Sequence, residues 1–125
     1  MNDKKKVLVV DDEEDVRTYI STLLQDSGYG IITAENGKEG FELAKKDKPD
    51  LITLDIAMPS QSGMRTFRMF KDSEELKSIP VIIITGMGEN VNSFIKRLKG
   101  FSQPEGFMGK PLDEEKLIKM VSDLI

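Results

Sequence analysis

The chain has neither cysteine nor histidine among its 125 residues. Without cysteine it has no disulfide framework and no thiolate nucleophile, and without histidine it lacks the commonest general base and the commonest zinc ligand. Its apolar runs are about four residues long, whereas a membrane-spanning helix needs roughly 20. The first run, Val7–Val10, is also too short for the core of a secretory signal peptide. These absences predict a cytoplasmic protein that is not a membrane protein.

The net charge and the length of the chain limit its possible functions and its domain organisation further. The formal net charge is −4, which argues against direct binding of nucleic acid as the main activity. Apolar residues make up 38% of the chain, which is enough for a buried core. The length fits one domain, and no linker or repeat divides it. We therefore expect a single domain over residues 1–125.

Five short segments have the composition of strands buried on both faces of a parallel sheet. They are Val7–Val10, Ile31–Ala34, Leu51–Leu54, Val81–Ile84 and Phe107–Gly109. Helical spacing of apolar residues follows each segment, and one such helix is expected around residues 91–98. This alternation predicts an α/β fold, in which a five-stranded parallel sheet and five helices form a flavodoxin-like three-layer sandwich. We favour the strand order 2-1-3-4-5.

Helix boundaries have their own signals. Gly28 follows the first helical pattern as a stop signal. Asn36 is a candidate N-cap with Glu39 three residues later, as in a capping box, although Gly40 weakens that helix. Asp113 is a candidate N-cap for the last helix.

Polar residues follow four of the five strands. Asp11 and Asp12 follow the first strand, Asp55 the third, Thr85 the fourth and Lys110 the fifth. Because the carboxyl ends of parallel strands line a common crevice, we expect these side chains to share one pocket. Three carboxylates, a hydroxyl and an ammonium suit a divalent cation and a phosphoryl group.

The three carboxylates predict a divalent cation site and a nucleophile. Clustered acidic groups need a counter-cation, and oxygen ligands without histidine or cysteine favour Mg²⁺, with Mn²⁺ also possible. A simpler interpretation is that Asp11 and Asp12 cap the first helix, but this leaves Asp55 unexplained. Asp55 is also a candidate nucleophile that forms an acyl phosphate, with Thr85 and Lys110 stabilising the developing charge.

These motifs resemble those of the receiver domain of two-component response regulators, and the similarity to single-domain chemotaxis-type receivers covers essentially the whole chain. It is carried by Asp11-Asp12-Glu13, Asp55 to Pro59 with Gly63, Thr85-Gly86, and Lys110-Pro111. The resemblance implies that Asp55 accepts a phosphoryl group from a phosphohistidine of a sensor histidine kinase or a phosphotransfer protein.

The resemblance also implies the roles of individual site residues. Asp12, Asp55 and the backbone carbonyl of Ala57 would bind Mg²⁺ directly, and Asp11 would act through water. Thr85 and Lys110 would contact the phosphoryl oxygens. By the same resemblance, the protein is no enzyme apart from catalysing its own phosphorylation and dephosphorylation.

A conformational switch is implied as well. Thr85 and the aromatic Phe107 match the family's switch positions, and the expected output face is the fourth helix, fifth strand and fifth helix, where a downstream protein would bind.

By the same resemblance, the side chains of Ala57 and Met87 would flank the path of the water that attacks the phosphoryl group. Neither side chain can hydrogen-bond this water, so dephosphorylation is expected to be slow. We expect a monomer or a weak phosphorylation-dependent dimer. The segment 100–106 departs from the family pattern.

Two alternatives remain at this point. A haloacid dehalogenase-like aspartyl phosphatase would need a second aspartate two residues after the nucleophile, and that position is Ala57. A pseudo-receiver that only binds a partner would not need Asp55, Thr85 and Lys110 all in place.

Overall fold

Five strands form one parallel sheet, which helices cover on both faces. The computed structural model describes residues 4–56, 61–85, 103–109 and 111–125. The strands are β1 (Lys6–Val10), β2 (Gly30–Ala34), β3 (Leu51–Ile56), β4 (Val81–Thr85) and β5 (Gly106–Gly109). The helices in this part of the chain are α1 (Glu14–Asp26), α2 (Gly37–Asp47), α3 (Gln61–Asp72) and the C-terminal helix α4 (Glu114–Leu124). The helix expected around residues 91–98 lies outside the described residues.

The strand order is β2-β1-β3-β4-β5, and every neighbouring pair is parallel. The predicted fold class and strand order are therefore confirmed. This order places β1 beside β3 at the point where the chain reverses its direction across the sheet. Ligands bind at such points in open α/β sheets.

The core consists of two apolar layers, one on each face of the sheet, because successive strand residues point to opposite faces. Toward α2 and α3 the layer includes Leu8, Val10, Ile52, Leu54, Ile83, Phe67 and Phe70. Toward α1 and α4 it includes Val7, Val9, Leu51, Ile82, Ile84, Ile20 and Leu117. The four-residue apolar runs are thus buried on both faces, as their composition predicts.

The predicted helix ends are confirmed. Gly28 follows α1 with a φ of 100°, and its N–H donates to the carbonyl of Gln25. The Asn36 side chain accepts the N–H of Glu39 at 2.8 Å, and the Asp113 side chain accepts the N–H of Lys116 at 3.1 Å. The first turns of α2 and α4 therefore each have a side-chain cap.

Gly40 has a packing role that helix propensity does not reveal. A Cβ at this position would lie 2.8 Å from Cγ2 of Val10, and a Cβ at Gly37 would lie 2.0 Å from Oγ1 of Thr66. Both glycines therefore allow α2 to approach its neighbours, β1 and α3, closely. The cost in helix propensity is offset by this contact.

An ion pair between a buried lysine and a partly exposed glutamate joins three elements at the amino end of the sheet. The side chain of Lys71, at the end of α3, is 5% exposed and that of Glu105 is 36% exposed. Nζ of Lys71 donates to both carboxylate oxygens of Glu105, at 2.8 and 2.9 Å, and to the carbonyl of Ile79 at 3.3 Å. Glu105 also accepts the N–H of Val81 at 2.8 Å. The pair thus ties α3 to the starts of β4 and β5. Glu105 lies in the segment 100–106 that departs from the family pattern.

In the described part of the chain, no helix combines the length and the apolar character that crossing a bilayer requires.

Candidate functional site

Four carboxylates converge at the carboxyl ends of β1 and β3. Asp11, Asp12 and Glu13 follow β1, and Asp55 is the penultimate residue of β3. Val10 pairs with Leu54 in the sheet register, so the acidic residues of the two strands begin at the same level. One carboxylate oxygen from each of the four residues lies within 4.8 Å of the others. The structure thus brings together Asp11, Asp12 and Asp55.

Asp11 is the buried member of this cluster, with 1% exposure. Its Oδ1 accepts the N–H of Glu13 at 2.9 Å, and its own N–H donates to the carbonyl of Ala34 at 3.1 Å. Asp12 is exposed and Asp55 is half-buried. The cluster therefore has one buried, hydrogen-bonded carboxylate at Asp11, and solvent reaches the cluster at Asp12.

The capping interpretation does not account for this arrangement. The N-cap of α1 is Glu13, and its side chain makes no cap hydrogen bond. Asp11 accepts the N–H of the N-cap residue itself rather than that of the second or third helical residue, where a capping side chain bonds. The carboxylates thus gather beside the start of the helix without capping it.

The sequence prediction missed Glu13 as a member of the cluster. Three consecutive acidic residues at the end of a strand are the available signal, because the turn into α1 keeps all three carboxylates together at the same edge of the sheet. Arg17 was missed as well. Its Nη1 donates to the backbone carbonyl of Asp11 at 2.9 Å. An arginine one turn into the helix that follows an acidic strand end is the corresponding sequence signal, and the structure shows this arginine to be half-buried.

Thr85 lies next to the cluster, on the neighbouring strand. It is the last residue of β4 and is 4% exposed. It pairs with Ile56, the residue after Asp55, so its hydroxyl group belongs to the same edge of the sheet. The predicted placement of a hydroxyl beside the acidic strand end agrees with this register.

Phe107 lies on β5 and pairs with Ile83. Ile83 and Thr85 are two residues apart, so Phe107 and Thr85 belong to the same face of the sheet. The Phe107 ring is half-buried and packs against the apolar layer on the α2–α3 side. The two predicted switch residues thus lie on adjacent strands.

Lys110, Ala57 and Met87 lie outside the described residues. Their predicted roles as phosphoryl contact, metal ligand through the carbonyl, and neighbour of the attacking water stay predictions.

The donor set of the cluster fits a hard divalent cation. All four side chains offer carboxylate oxygens, which Mg²⁺ and Mn²⁺ prefer, and the chain has neither the thiolate nor the imidazole that zinc favours. Like charges this close repel one another unless a cation neutralises them. The cluster of Asp11, Asp12 and Asp55 is therefore compatible with a bound Mg²⁺ ion.

A hydrogen bond between exposed side chains joins two helices on one face of the sheet. The Tyr19 hydroxyl, on α1, donates to the carboxylate of Glu114 in the first turn of α4. This hydrogen bond raises the pKa of the Tyr19 phenol above its usual value of about 10, because the bond needs the phenolic proton. The nearby negative charge acts in the same direction.

Comparison with known proteins agrees with this geometry. A family model described as the response regulator receiver domain matches residues 7–122. The protein PilH of Pseudomonas aeruginosa is 31% identical over 120 residues, which is 96% of this chain and 97% of PilH. The polar-differentiation response regulator DivK of Brucella anthropi is 32% identical over 121 residues, covering 97% of this chain and 96% of DivK. A crystal structure of the Vibrio cholerae chemotaxis protein CheY4 superposes with a TM-score of 0.85 at 30% identity, covering 98% and 99% of the two chains.

Proposed function

This chain belongs to the response regulator receiver domain family, and we propose that it accepts a phosphoryl group on Asp55 from a phosphohistidine of a sensor kinase or phosphotransfer protein. The observation that supports this proposal is the convergence of four carboxylate side chains within 4.8 Å. Asp55 is the member on the central strand β3, and Thr85 lies beside it on β4. The reaction would take place in the cytoplasm.

The transfer is a displacement at phosphorus. A carboxylate oxygen of Asp55 forms a bond to phosphorus while the phosphorus–nitrogen bond of the phosphohistidine breaks. The electron pair of that bond goes to the imidazole nitrogen. Because the other ring nitrogen of the reacting phosphohistidine carries a proton, the donor leaves as neutral imidazole, and Asp55 becomes an acyl phosphate. The attacking carboxylate and the phosphoryl group are both negative, so the site has to lower their repulsion.

Different residues of the site would lower this repulsion in different ways. Asp12 and Asp55 would hold Mg²⁺ directly, with the Ala57 carbonyl, and Asp11 would act through water. When bound, Mg²⁺ supplies positive charge to the phosphoryl oxygens and cancels the repulsion among the carboxylates. Thr85 would donate its hydroxyl proton to one phosphoryl oxygen, and Lys110 would contact another.

Phosphorylation would then change the partner-binding surface. Drawing the Thr85 hydroxyl toward the phosphoryl group alters the packing next to Phe107, since the two residues belong to the same face of adjacent strands. The Phe107 ring has no hydroxyl to satisfy, so it can move further into the apolar layer it already contacts. A downstream protein would recognise the resulting surface around β5 and α4.

Loss of the phosphoryl group should be slow. The side chains at positions 57 and 87 are alanine and methionine, and neither can orient the attacking water by hydrogen bonding. Each orienting contact worth about 1.4 kcal/mol in the transition state changes the rate roughly tenfold. Ala57→Asn with Met87→Glu should therefore shorten the lifetime of the phosphorylated protein after the donor is removed, and an unchanged decay rate would exclude these positions from control of the water.

Intact mass spectrometry with acetyl phosphate tests the proposal. The wild-type protein should gain the mass of one phosphoryl group when Mg²⁺ is present and none when the metal is chelated. Asp55→Asn should gain none in either condition. The matched control is Asp26→Asn, which removes an exposed carboxylate at the far end of α1 and should be phosphorylated like the wild type. Labelling of the Asp55→Asn protein to the wild-type extent would refute the proposal.

A further inference from the structure

Arg17 contacts the backbone of the acidic strand end rather than its carboxylates. Its Nη1 donates to the carbonyl oxygen of Asp11 at 2.9 Å. Within the described part of the chain, Arg17 takes part in none of the ion pairs, although Glu13 lies one helical turn before it. The guanidinium therefore supports the loop without occupying the carboxylate oxygens that would face a cation.

This contact is one of three hydrogen bonds that hold the end of β1 at Asp11. The N–H of Asp11 donates to the carbonyl of Ala34, its side chain accepts the N–H of Glu13, and its carbonyl accepts from Arg17. The Asp11 carbonyl belongs to the peptide unit that leads into Asp12. Because a peptide unit is planar, holding this carbonyl also holds the direction in which the chain enters Asp12.

Asp12 depends on this support more than Asp11 does. Asp11 is buried, whereas Asp12 is exposed in the turn between β1 and α1. Its carboxylate nevertheless has to stay near those of Asp11 and Asp55, which repel it. A tether on the preceding peptide group counteracts that repulsion without adding a ligand.

We infer that Arg17 is a positioning residue for the divalent cation: by holding the Asp11 carbonyl, it presents the Asp12 carboxylate in a geometry ready for the metal. This inference rests on the part of the proposed function that concerns metal binding, and it adds a residue that does not itself touch the metal or the phosphoryl group.

Two physical effects of Arg17 have opposite signs, which makes the inference testable. As a permanent positive charge, the guanidinium repels a cation, so removing it should strengthen Mg²⁺ binding if charge alone matters. As a positioning group, it organises a ligand, so removing it should weaken Mg²⁺ binding. Loss of a supporting contact around a metal site typically lowers affinity by about 10- to 100-fold.

The experiment is calorimetric titration of Mg²⁺ into metal-free Arg17→Met, without any phosphodonor. Methionine keeps most of the aliphatic stem and removes both the charge and the donor. We expect the affinity to fall by about tenfold, at the lower end of the range for such contacts because the turn is exposed. The matched control is Arg65→Met, which removes an exposed arginine from α3 and should leave the affinity close to that of the wild type. Unchanged or tighter Mg²⁺ binding by Arg17→Met would overturn the inference.

A second measurement reports on the turn itself. Amide hydrogen exchange at Glu13, whose N–H donates to Asp11, should become faster in metal-free Arg17→Met than in the wild type and in Arg65→Met. Exchange at wild-type rates in a correctly folded variant would also overturn the inference. Neither the Mg²⁺ titration nor the amide exchange depends on phosphorylation. If the wild type binds Mg²⁺ but takes up no phosphoryl group, the proposed function is refuted, and these two measurements still test the role of Arg17.

Discussion

At the carboxyl ends of β1 and β3 four carboxylate groups lie within 4.8 Å of one another, whereas at the amino ends of β4 and β5 a buried lysine is bound by both oxygens of one glutamate. At the amino end Lys71 and Glu105 pair opposite charges and link three elements. Among the described residues, the carboxyl ends of β1 and β3 gather charges of one sign, an arrangement that folding stability alone does not favour. The contrast distinguishes a structural use of charge from a functional one, and substitutions at the two ends should change stability in opposite directions.

The largest effect on stability is expected at the amino end. Glu105→Gln leaves the Lys71 ammonium, only 5% exposed, without its counter-charge, and this should lower the free energy of unfolding by about 3 kcal/mol. Lys71→Met should lower it less, because the remaining Glu105 carboxylate is 36% exposed and can be hydrated. Urea unfolding measures both.

A surface ion pair serves as the control for this prediction. Lys119 and Asp123 are 3.1 Å apart on α4, with side chains 77% and 62% exposed. Lys119→Met should change the free energy of unfolding by no more than about 0.5 kcal/mol. If Glu105→Gln is as mild as Lys119→Met, the amino-end pair has no structural role beyond that of a surface pair.

At the carboxyl end, removing a charge should raise the free energy of unfolding instead of lowering it. Asp12→Asn removes one of four clustered negative charges, so the metal-free protein should become more stable by about 1 kcal/mol. Saturating Mg²⁺ should then stabilise the wild type much more than the variant, because the metal binds the folded state through this carboxylate. Thermal unfolding with and without Mg²⁺ measures both quantities. A metal-free Asp12→Asn protein less stable than the wild type would show that repulsion does not dominate this end of the sheet.

The smallest effect concerns the hydrogen bond between Tyr19 and Glu114. The pKa of the Tyr19 phenol is raised in the folded protein, so the folded state holds the phenolic proton more tightly than the unfolded state does. This contribution to stability is complete below the unfolded pKa of about 10 and is lost as the pH rises through the folded value. Ultraviolet titration of the wild type against Tyr19→Phe should show one phenol that ionises above pH 10. A Tyr19 phenol that ionises at or below this value would contradict the hydrogen bond.

The sequence allowed the fold and much of the site to be predicted because both depend on local patterns. Four-residue apolar runs identify strands buried on two faces, and they are short enough to leave Asp55 and Thr85 at the edge where they lie. Strand order then brings Asp55 to Asp11. Caps such as Asn36 and Asp113 are equally local signals.

The features that the sequence did not reveal depend on contacts between residues far apart in the sequence, or on the direction that the chain takes in a turn. Lys71 and Glu105 are 34 residues apart, and a lysine at a helix end ordinarily points to solvent. The glycines of α2 are explained only by the neighbours they approach. Glu13 and Arg17 belong to the site because of the turn from β1 into α1, whose geometry the residue pattern does not specify.

Asp55 is proposed to be the carboxylate of the cluster that receives the phosphoryl group. Borohydride reduces an acyl phosphate to an alcohol and so converts the modified aspartate to homoserine, which peptide mass spectrometry can locate. After incubation with acetyl phosphate and Mg²⁺, homoserine should appear at position 55 and should be absent when the metal is chelated. Conversion at Asp11 or Asp12 instead, or reduction of Glu13, would contradict the assignment of Asp55 as the phosphoryl acceptor.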